Sequence, residues 1–279
     1  MAAEPAGWQA LAEPPSQERH VGKLIFVELA TPDLPAAEQF YAALFGWAFR
    51  DLRSGGMLYA EASLEGRPVA GLVHRKLAAG ERRQPAWLGF IAVKDADAAR
   101  KAAVQQGARV LSEPRSVRGH GREAVFADPQ GAVFGVLASS SGDPPDVLAA
   151  PGEWIWSSLL TRDLEAGTAF YQALFDYEVF DLSEGDGGQH VLFASDEFAR
   201  ASANAMPSTW PQGRSHWLNY VRVIDADKAV ARAVALGGRV LIEPRVDRHG
   251  GKVAVVADPQ GAPVGLLEWP EAPGPKGAP

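Results

Sequence analysis

Thr31, Asp33, Phe40, Tyr41, Leu44 and Phe45 recur 130 residues later as Thr161, Asp163, Phe170, Tyr171, Leu174 and Phe175. At the same offset Trp87-Leu88 returns as Trp217-Leu218, Glu113-Pro114-Arg115 as Glu243-Pro244-Arg245, and Ala127 to Ala132 as Ala257 to Ala262. A repeat this long and this regular means two homologous domains, and 279 residues is the length two modest domains require. The first domain is predicted over 22–138 and the second over 152–269, joined by a Ser-, Gly- and Pro-rich linker over 139–151. Residues 1–21 and 270–279, rich in Ala and Pro and without a sustained period, read as tails.

Within each repeat the pattern runs twice through strand, helix and three strands. A strand over 24–29 leads to Asp33, a natural helix cap, after which Leu34, Ala37, Phe40, Tyr41, Leu44 and Phe45 fall at helical spacing. β-type runs follow over 47–51, 57–63 and 68–73. The pattern restarts with a strand over 87–93 and a helix capped by Asp95, with Ala96, Ala99 and Ala103 on one face and Gly107 closing it. Strands over 109–111, 123–127 and 132–137 complete the unit. The expected class is α+β, with four βαβββ modules forming curved mixed sheets.

Composition closes several chemistries. Lys and Arg number 27 against 34 Asp and Glu, a net charge of −7 and the wrong sign for neutralising phosphates, so no nucleic-acid partner is expected. With no cysteine there is no disulfide, thiolate metal site or Cys nucleophile. No apolar run approaches the roughly 20 residues of a membrane helix, so no membrane partner is expected. A cytoplasmic location is the expectation, or a periplasmic or exported one if the first residues are the tether left by a removed signal.

The tandem βαβββ modules, the D-L-x-x-A-x-x-F-Y-x-x-L-F opening helix and the D-P-x-G turn before the last strand together resemble the vicinal oxygen chelate superfamily. That superfamily includes glyoxalase I, bleomycin- and fosfomycin-resistance proteins and extradiol dioxygenases, and the stretch F-x-E-L-x-T-P-D-L-P-A-A-E-Q-F-Y-A-A-L-F-G-W is similar to its two-domain bacterial glyoxalase-like members. The resemblance implies a divalent metal held from the first and last strands of paired modules. Its first-strand ligand positions fall on Phe26, Leu88, Trp156 and Leu218, and its last-strand positions on Gly71, Gly135, Gly265 and Ala201. None of these side chains coordinates a cation, so neither metal nor other cofactor is expected. The resemblance also implies that four modules in one chain replace a dimer, giving a monomer with an internal pseudo-two-fold. Pairing within a domain and pairing across domains both stay open.

Strand alternation places Leu24, Phe26 and Glu28 on one face, and Trp154, Trp156 and Ser158 on the equivalent face of the second domain. Ala86, Leu88, Phe90 and Ala92 share a face, and so do His216, Leu218, Tyr220 and Arg222. The polarity of the last set makes the cup containing the 216–222 strand the preferred ligand site, with Phe26, Glu28, Trp154, Trp156, His216, Leu218, Tyr220 and Arg222 as the candidate lining. Glu28, His216 and Arg222 are candidate acid-base or anion-holding groups, although each also reads as an ordinary rim or surface residue. His120 and His249 read as solvated turn residues, and the paired Asp-Pro-Gln-Gly segments read as structural turns. The function predicted first is metal-free binding of a small apolar or aromatic molecule. A metal-independent lyase- or isomerase-type enzyme and a scaffold with filled cups are the alternatives.

Overall fold

A computed structural model describes residues 7–54, 57–76, 85–183, 188–207, 213–247 and 250–269. His249, most of the Gly185 to Gly188 turn and the 270–279 tail lie outside the described residues. The first domain runs β1 (Leu24–Thr31), α1 (Leu34–Phe45), β2 (Ala48–Ser54), β3 (Met57–Leu64), β4 (Arg67–His74), β5 (Ala86–Ala92), α2 (Ala96–Gln105), β6 (Arg109–Val117), β7 (Gly121–Ala127) and β8 (Val133–Ser139). The second runs β9 (Trp154–Thr161), α3 (Leu164–Phe175), β10 (Glu178–Asp181), β11 (His190–Ser195), β12 (Phe198–Ala205), β13 (His216–Val223), α4 (Ala226–Ala235), β14 (Arg239–Val246), β15 (Lys252–Ala257) and β16 (Pro263–Glu268).

Each helix starts where a buried-face pattern meets a cap. Asp33 and Asp163 accept the backbone N–H of Ala36 and Ala166, and Asp95 and Asp225 do the same for α2 and α4. α1 ends on Gly46 in the left-handed region at φ 78°, whereas α3 ends on Asp176 at φ 57°, a residue type that tolerates that conformation. β6 extends to Val117, well past the predicted 111, although Pro114 lies inside it. It is an edge strand with two register shifts, a setting in which a missing N–H costs no ladder bond.

Each domain forms one eight-stranded mixed sheet, ordered β2-β3-β4-β1-β5-β8-β7-β6 and β10-β11-β12-β9-β13-β16-β15-β14. Modules therefore pair within a domain, through β1 against β5 and β9 against β13. The helices pack on one face of each sheet, and their buried residues join the cores shared by the two domains. One core joins α1, β1, β3 and β4 to α4, β13, β15 and β16. A second joins α2, β7 and β8 to α3, β11 and β12. The uncovered face of each sheet is the concave one.

The repeated motifs meet across this interface. Tyr41 donates its hydroxyl to Asp258 Oδ2 at 3.1 Å and accepts from Trp87 Nε1 at 3.0 Å. Tyr171 donates to Asp128 Oδ2 at 3.1 Å and accepts from Trp217 Nε1 at 2.8 Å. The Asp-Pro-Gln-Gly turns thus hold the other domain as well as themselves. Burial, and then the neighbouring carboxylate, push both phenols well above their ordinary pKa.

Residues 8–21 form neither helix nor strand, but they are not a loose tail. Ala12 is buried, Leu11 and Ala12 donate backbone N–H bonds to Ser141 Oγ, and His20 N donates to Asp143 Oδ2. The linker is fixed as well: Asp146 pairs with Lys23 and with Arg200, whose side chain is 3% exposed.

Candidate functional site

Strand register decides what each cup presents. In the first domain Phe26 lies opposite Phe90, which lies opposite Gly135, while Glu28 lies between Gly71 and Leu88. In the second, Trp156 lies opposite Tyr220 and Tyr220 opposite Gly265, while Ser158 lies between Ser202 and Leu218. Ser202, at an offset of 131, is therefore the counterpart of Gly71. Ala201, taken from the constant offset of 130, belongs to the interdomain core instead. One extra residue before β11 and one fewer between β12 and β13 account for the slip.

Three of the last-strand positions are glycines because aromatic rings lie on them. A Cβ at Gly135 would stand 2.5 Å from the Phe90 ring, and one at Gly265 would stand 2.2 Å from the Tyr220 ring. At Gly71 the intruding ring is Trp8, 2.7 Å away. The room a carboxylate ligand would need is filled by ring carbon, so a divalent metal of the family's kind does not fit these positions. Among the described residues no group of three or more His, Cys, Asp or Glu is placed to hold an ion.

A β-bulge corrects part of the predicted lining. Between Trp154 and Trp156 the pairing with β13 skips a residue, which reverses the alternation beyond it. Trp154 consequently turns away from the cup into the interdomain core, donates Nε1 to Val69 O at 2.9 Å and meets Trp87 edge-on. Leu24 moves the same way past the matching bulge in β1. Phe26, Glu28, Trp156, Leu218 and Tyr220 stay on the concave faces. His216 and Arg222 stand at opposite ends of β13, about 20 Å apart at roughly 3.3 Å per residue, too far for one small ligand to bridge. Arg222 donates Nη1 to the linker carbonyl of Ala149 at 2.8 Å, and His216 Nδ1 bonds to Arg214 O at 2.7 Å.

The polar groups of the second cup are others. His190 Nδ1 lies 2.7 Å from Asn204 Oδ1, Asn204 Nδ2 donates to Ser158 Oγ at 2.7 Å, and Ser158 and Ser202 share a bond of 3.0 Å. Trp156 Nε1 donates to Ser202 Oγ at 3.1 Å. Because the Asn204 amide nitrogen donates to Ser158, its oxygen accepts, and His190 Nδ1 carries the proton. Two hydroxyl hydrogens serve one Ser–Ser bond, so these bonds leave one hydroxyl hydrogen to donate elsewhere. Trp156 and Tyr220 flank the network half-buried, and burial pushes the Tyr220 phenol up to about 12. The chain of Ser158, Ser202, Asn204 and His190 could have been found in the sequence only with the 131-residue offset.

The first cup is charged. Arg115 donates Nε and Nη2 to Glu123 Oε1 at 3.0 and 2.8 Å, and His120 Nδ1 stands 3.8 Å from Glu123 Oε2. Glu61, 1% exposed, pairs with Arg50 at 2.8 Å. His120, expected in solvent, is 2% exposed between Trp8 and Phe26. Glu28 is half-buried beneath them. Burial first, and the charge of Glu123 second, raise its carboxyl from 4.5 to about 7, against the pull of Arg115. Glu123 moves the opposite way: burial alone would raise it, but His120 and Arg115 together hold it below the usual range.

A separate surface cavity of about 440 Å³ opens at the start of α1, lined in part by Asp33, Glu38, Asp51, Tyr59 and His74. It lies on the rim of the first module, and Asp33 is occupied there in capping α1. The concave faces carry the stronger chemistry.

Known proteins share the two-domain organisation. The family model described as "Glyoxalase/Bleomycin resistance protein/Dioxygenase superfamily" matches residues 23–136, and a "Glyoxalase-like domain" model matches 157–267. CFP32 of Mycobacterium bovis, which carries the name of a glyoxylase, is 33% identical over 91% of this chain and 98% of its own length. The anthracycline biosynthesis protein DauV of Streptomyces sp. (strain C5) is 34% identical over 90% of this chain and 94% of its own. In fold, the Mn(II)-bound glyoxalase from Novosphingobium aromaticivorans superposes with a TM-score of 0.61 at 18% identity, over 91% of this chain and 84% of that one. Two matched domains and relatives spanning nearly the whole chain make this protein a two-domain member of the glyoxalase, bleomycin resistance protein and dioxygenase superfamily.

Proposed function

We propose that the protein binds a small, uncharged, ring-containing molecule bearing an acceptor oxygen in the concave face of its second domain, without a metal. The observation that carries this is the pairing of two half-buried rings, Trp156 and Tyr220, with an uncharged network that has one hydroxyl hydrogen left to donate. Rings supply apolar contact, and a single donor orients a carbonyl, quinone or ether oxygen. Relatives named for anthracycline biosynthesis, a class of fused-ring molecules, are consistent with such a slot. Titration with naphthoquinone and acetonaphthone tests it. Trp156→Ala is expected to weaken binding at least tenfold, and Ser202→Ala by about two- to tenfold for one lost hydrogen bond. Affinities unchanged in both variants would remove the site from the second cup.

The metal-free part has its own check. With rings on Gly71, Gly135 and Gly265, dialysed protein is expected to carry no stoichiometric Zn, Mn, Fe or Ni by elemental analysis. One ion per chain, lost when a cup residue is replaced, would contradict it. A second reading, acid-base catalysis, is favoured by one observation: Glu28, whose carboxyl is raised to about 7, stands in the range where a group both takes and gives a proton near neutrality. Its test is loss of turnover in Glu28→Gln on any substrate that a screen yields.

A further inference from the structure

The two cups differ in one respect that the repeat does not explain. At the 130-residue offset the counterpart of residues 7–12 is 137–142, the end of β8 and the turn after it, so among the described residues the repeat supplies the second domain with no counterpart of the segment that crosses the first cup. That segment carries Trp8. Its ring meets Phe26 edge-on at 5.6 Å and Tyr59 at 6.0 Å, and it stacks on His120 at 5.5 Å. Two glycines make room for it: a Cβ at Gly71 would meet the ring, and one at Gly119, where φ is +80°, would stand 2.3 Å from the Trp8 carbonyl oxygen.

Trp8 and Leu11 pack against the cluster of Ile25, Phe26, Phe90, Ala92 and Leu137, but neither helix nor strand includes the segment, and its hydrogen-bond anchors are side chains. Gln9 N donates to Glu61 Oε2 at 2.7 Å, Gly7 O accepts from Arg50 at 3.1 Å, and Leu11 and Ala12 donate to Ser141 Oγ at 3.0 and 3.2 Å. Such a strap can open while the sheet stays intact. Beneath it lie two polar groups with hydrogen-bonding capacity unused. His120 Nε2 is buried without a hydrogen-bond partner, and water still reaches the half-buried Glu28. His120 Nε2 offers an unused hydrogen-bonding position, and the Glu28 carboxyl oxygens accept from a donor that the Trp8 ring does not bring to them.

We propose that Trp8 is a tethered stand-in for a planar aromatic ligand bearing a hydroxyl or N–H group, which binds the first cup when residues 7–12 lift away. This site is independent of the one in the second domain. Naphthol serves as probe, with the full chain, Trp8→Ala and Trp156→Ala compared by calorimetry and by hydrogen exchange. Removing the tethered ring is expected to tighten naphthol binding at least tenfold, the factor set when the open strap is a tenth or less of the population. In the unsubstituted chain, saturating naphthol is expected to speed exchange at the Gln9, Leu11 and Ala12 amides while β1 stays protected. Trp156→Ala should preserve both results, which separates this site from the second cup. A folded Trp8→Ala with no gain in affinity overturns the proposal. Should that variant not fold, strap amides in the unsubstituted chain that stay as protected under naphthol as without it overturn it equally.

Discussion

Asp128→Ala and Asp258→Ala should each destabilise the protein by about 3 kcal/mol or more, and by similar amounts, although their side chains sit 130 residues apart in different cores. Oδ1 of Asp128 accepts the backbone N–H of Gln130 and of Ala132, both at 2.9 Å, and Oδ2 accepts the Tyr171 hydroxyl. Asp258 repeats this with Gln260, Ala262 and Tyr41. Truncation leaves two buried donors and one part-buried donor without an acceptor, each buried one costing about 1 to 3 kcal/mol when unsatisfied, with partial relaxation of the turn reducing the sum. At roughly 2 to 4 °C per kcal/mol, a fall in Tm of about 6 to 12 °C is expected from calorimetry. Tyr171→Phe should cost less, since two partners, Trp217 Nε1 and Asp128 Oδ2, lose one bond each while the backbone bonds of the turn remain. A fall below about 2 °C for either Asp variant would show that the turn closes the domain without helping to hold its partner.

That symmetry explains why the fold was legible in the sequence. Residues repeating at a constant offset include the caps, the Phe-Tyr pair of the helix, the Trp of the central strand and the Asp of the turn; the Phe-Tyr pair and the Trp pack in the interdomain cores, and the Asp bonds the Tyr across them. The Asp-Pro-Gln-Gly segments were readable as turns because Pro and Gly set backbone geometry locally, whereas their bonds to Tyr41 and Tyr171 span 217 and 43 residues and leave no local trace. Pro114 concealed half of β6 for the opposite reason, a local signal outweighed by an edge position.

The site was less legible because it depends on phase. Period-two alternation gave Phe26, Glu28, Trp156, Leu218 and Tyr220 their correct face, but one bulge sent Trp154 into the core. The compensated insertion disguised Ser202, Asn204 and His190, the polar groups of the second cup, since a shift of one residue moves every side chain to the other face. Trp8 could not be found at all: a residue in a segment without periodicity contributes no pattern, and its place is set by a cup assembled from distant strands.

Replacing Glu28 with Gln should raise stability at pH 8 by about 2 to 3 kcal/mol and leave it nearly unchanged at pH 4. In the unfolded chain this carboxyl titrates near 4.5, and in the fold it is raised to about 7 by burial and by Glu123. Between those values the folded protein holds a proton that the unfolded chain has released, so stability falls as pH rises through the window and levels off above it. A rise of that size corresponds to at most about 3 kcal/mol, reduced by the water that reaches the half-buried side chain. Glu123, held low by His120 and Arg115, contributes with the opposite sign, present above its unfolded value and lost as pH falls through its depressed one. Parent and variant share Glu123, His120, Arg115 and Tyr59, so their difference isolates Glu28, apart from relief of its repulsion with Glu123. Denaturant unfolding at half-unit steps from pH 4 to 8.5 should show two curves that diverge between about 4.5 and 7. Curves that stay parallel would mean that the carboxyl ionises normally and that its cup is wetter than the fold suggests. Divergence would identify a side chain retained at a cost to stability near neutral pH, as expected of a group that handles protons for a ligand.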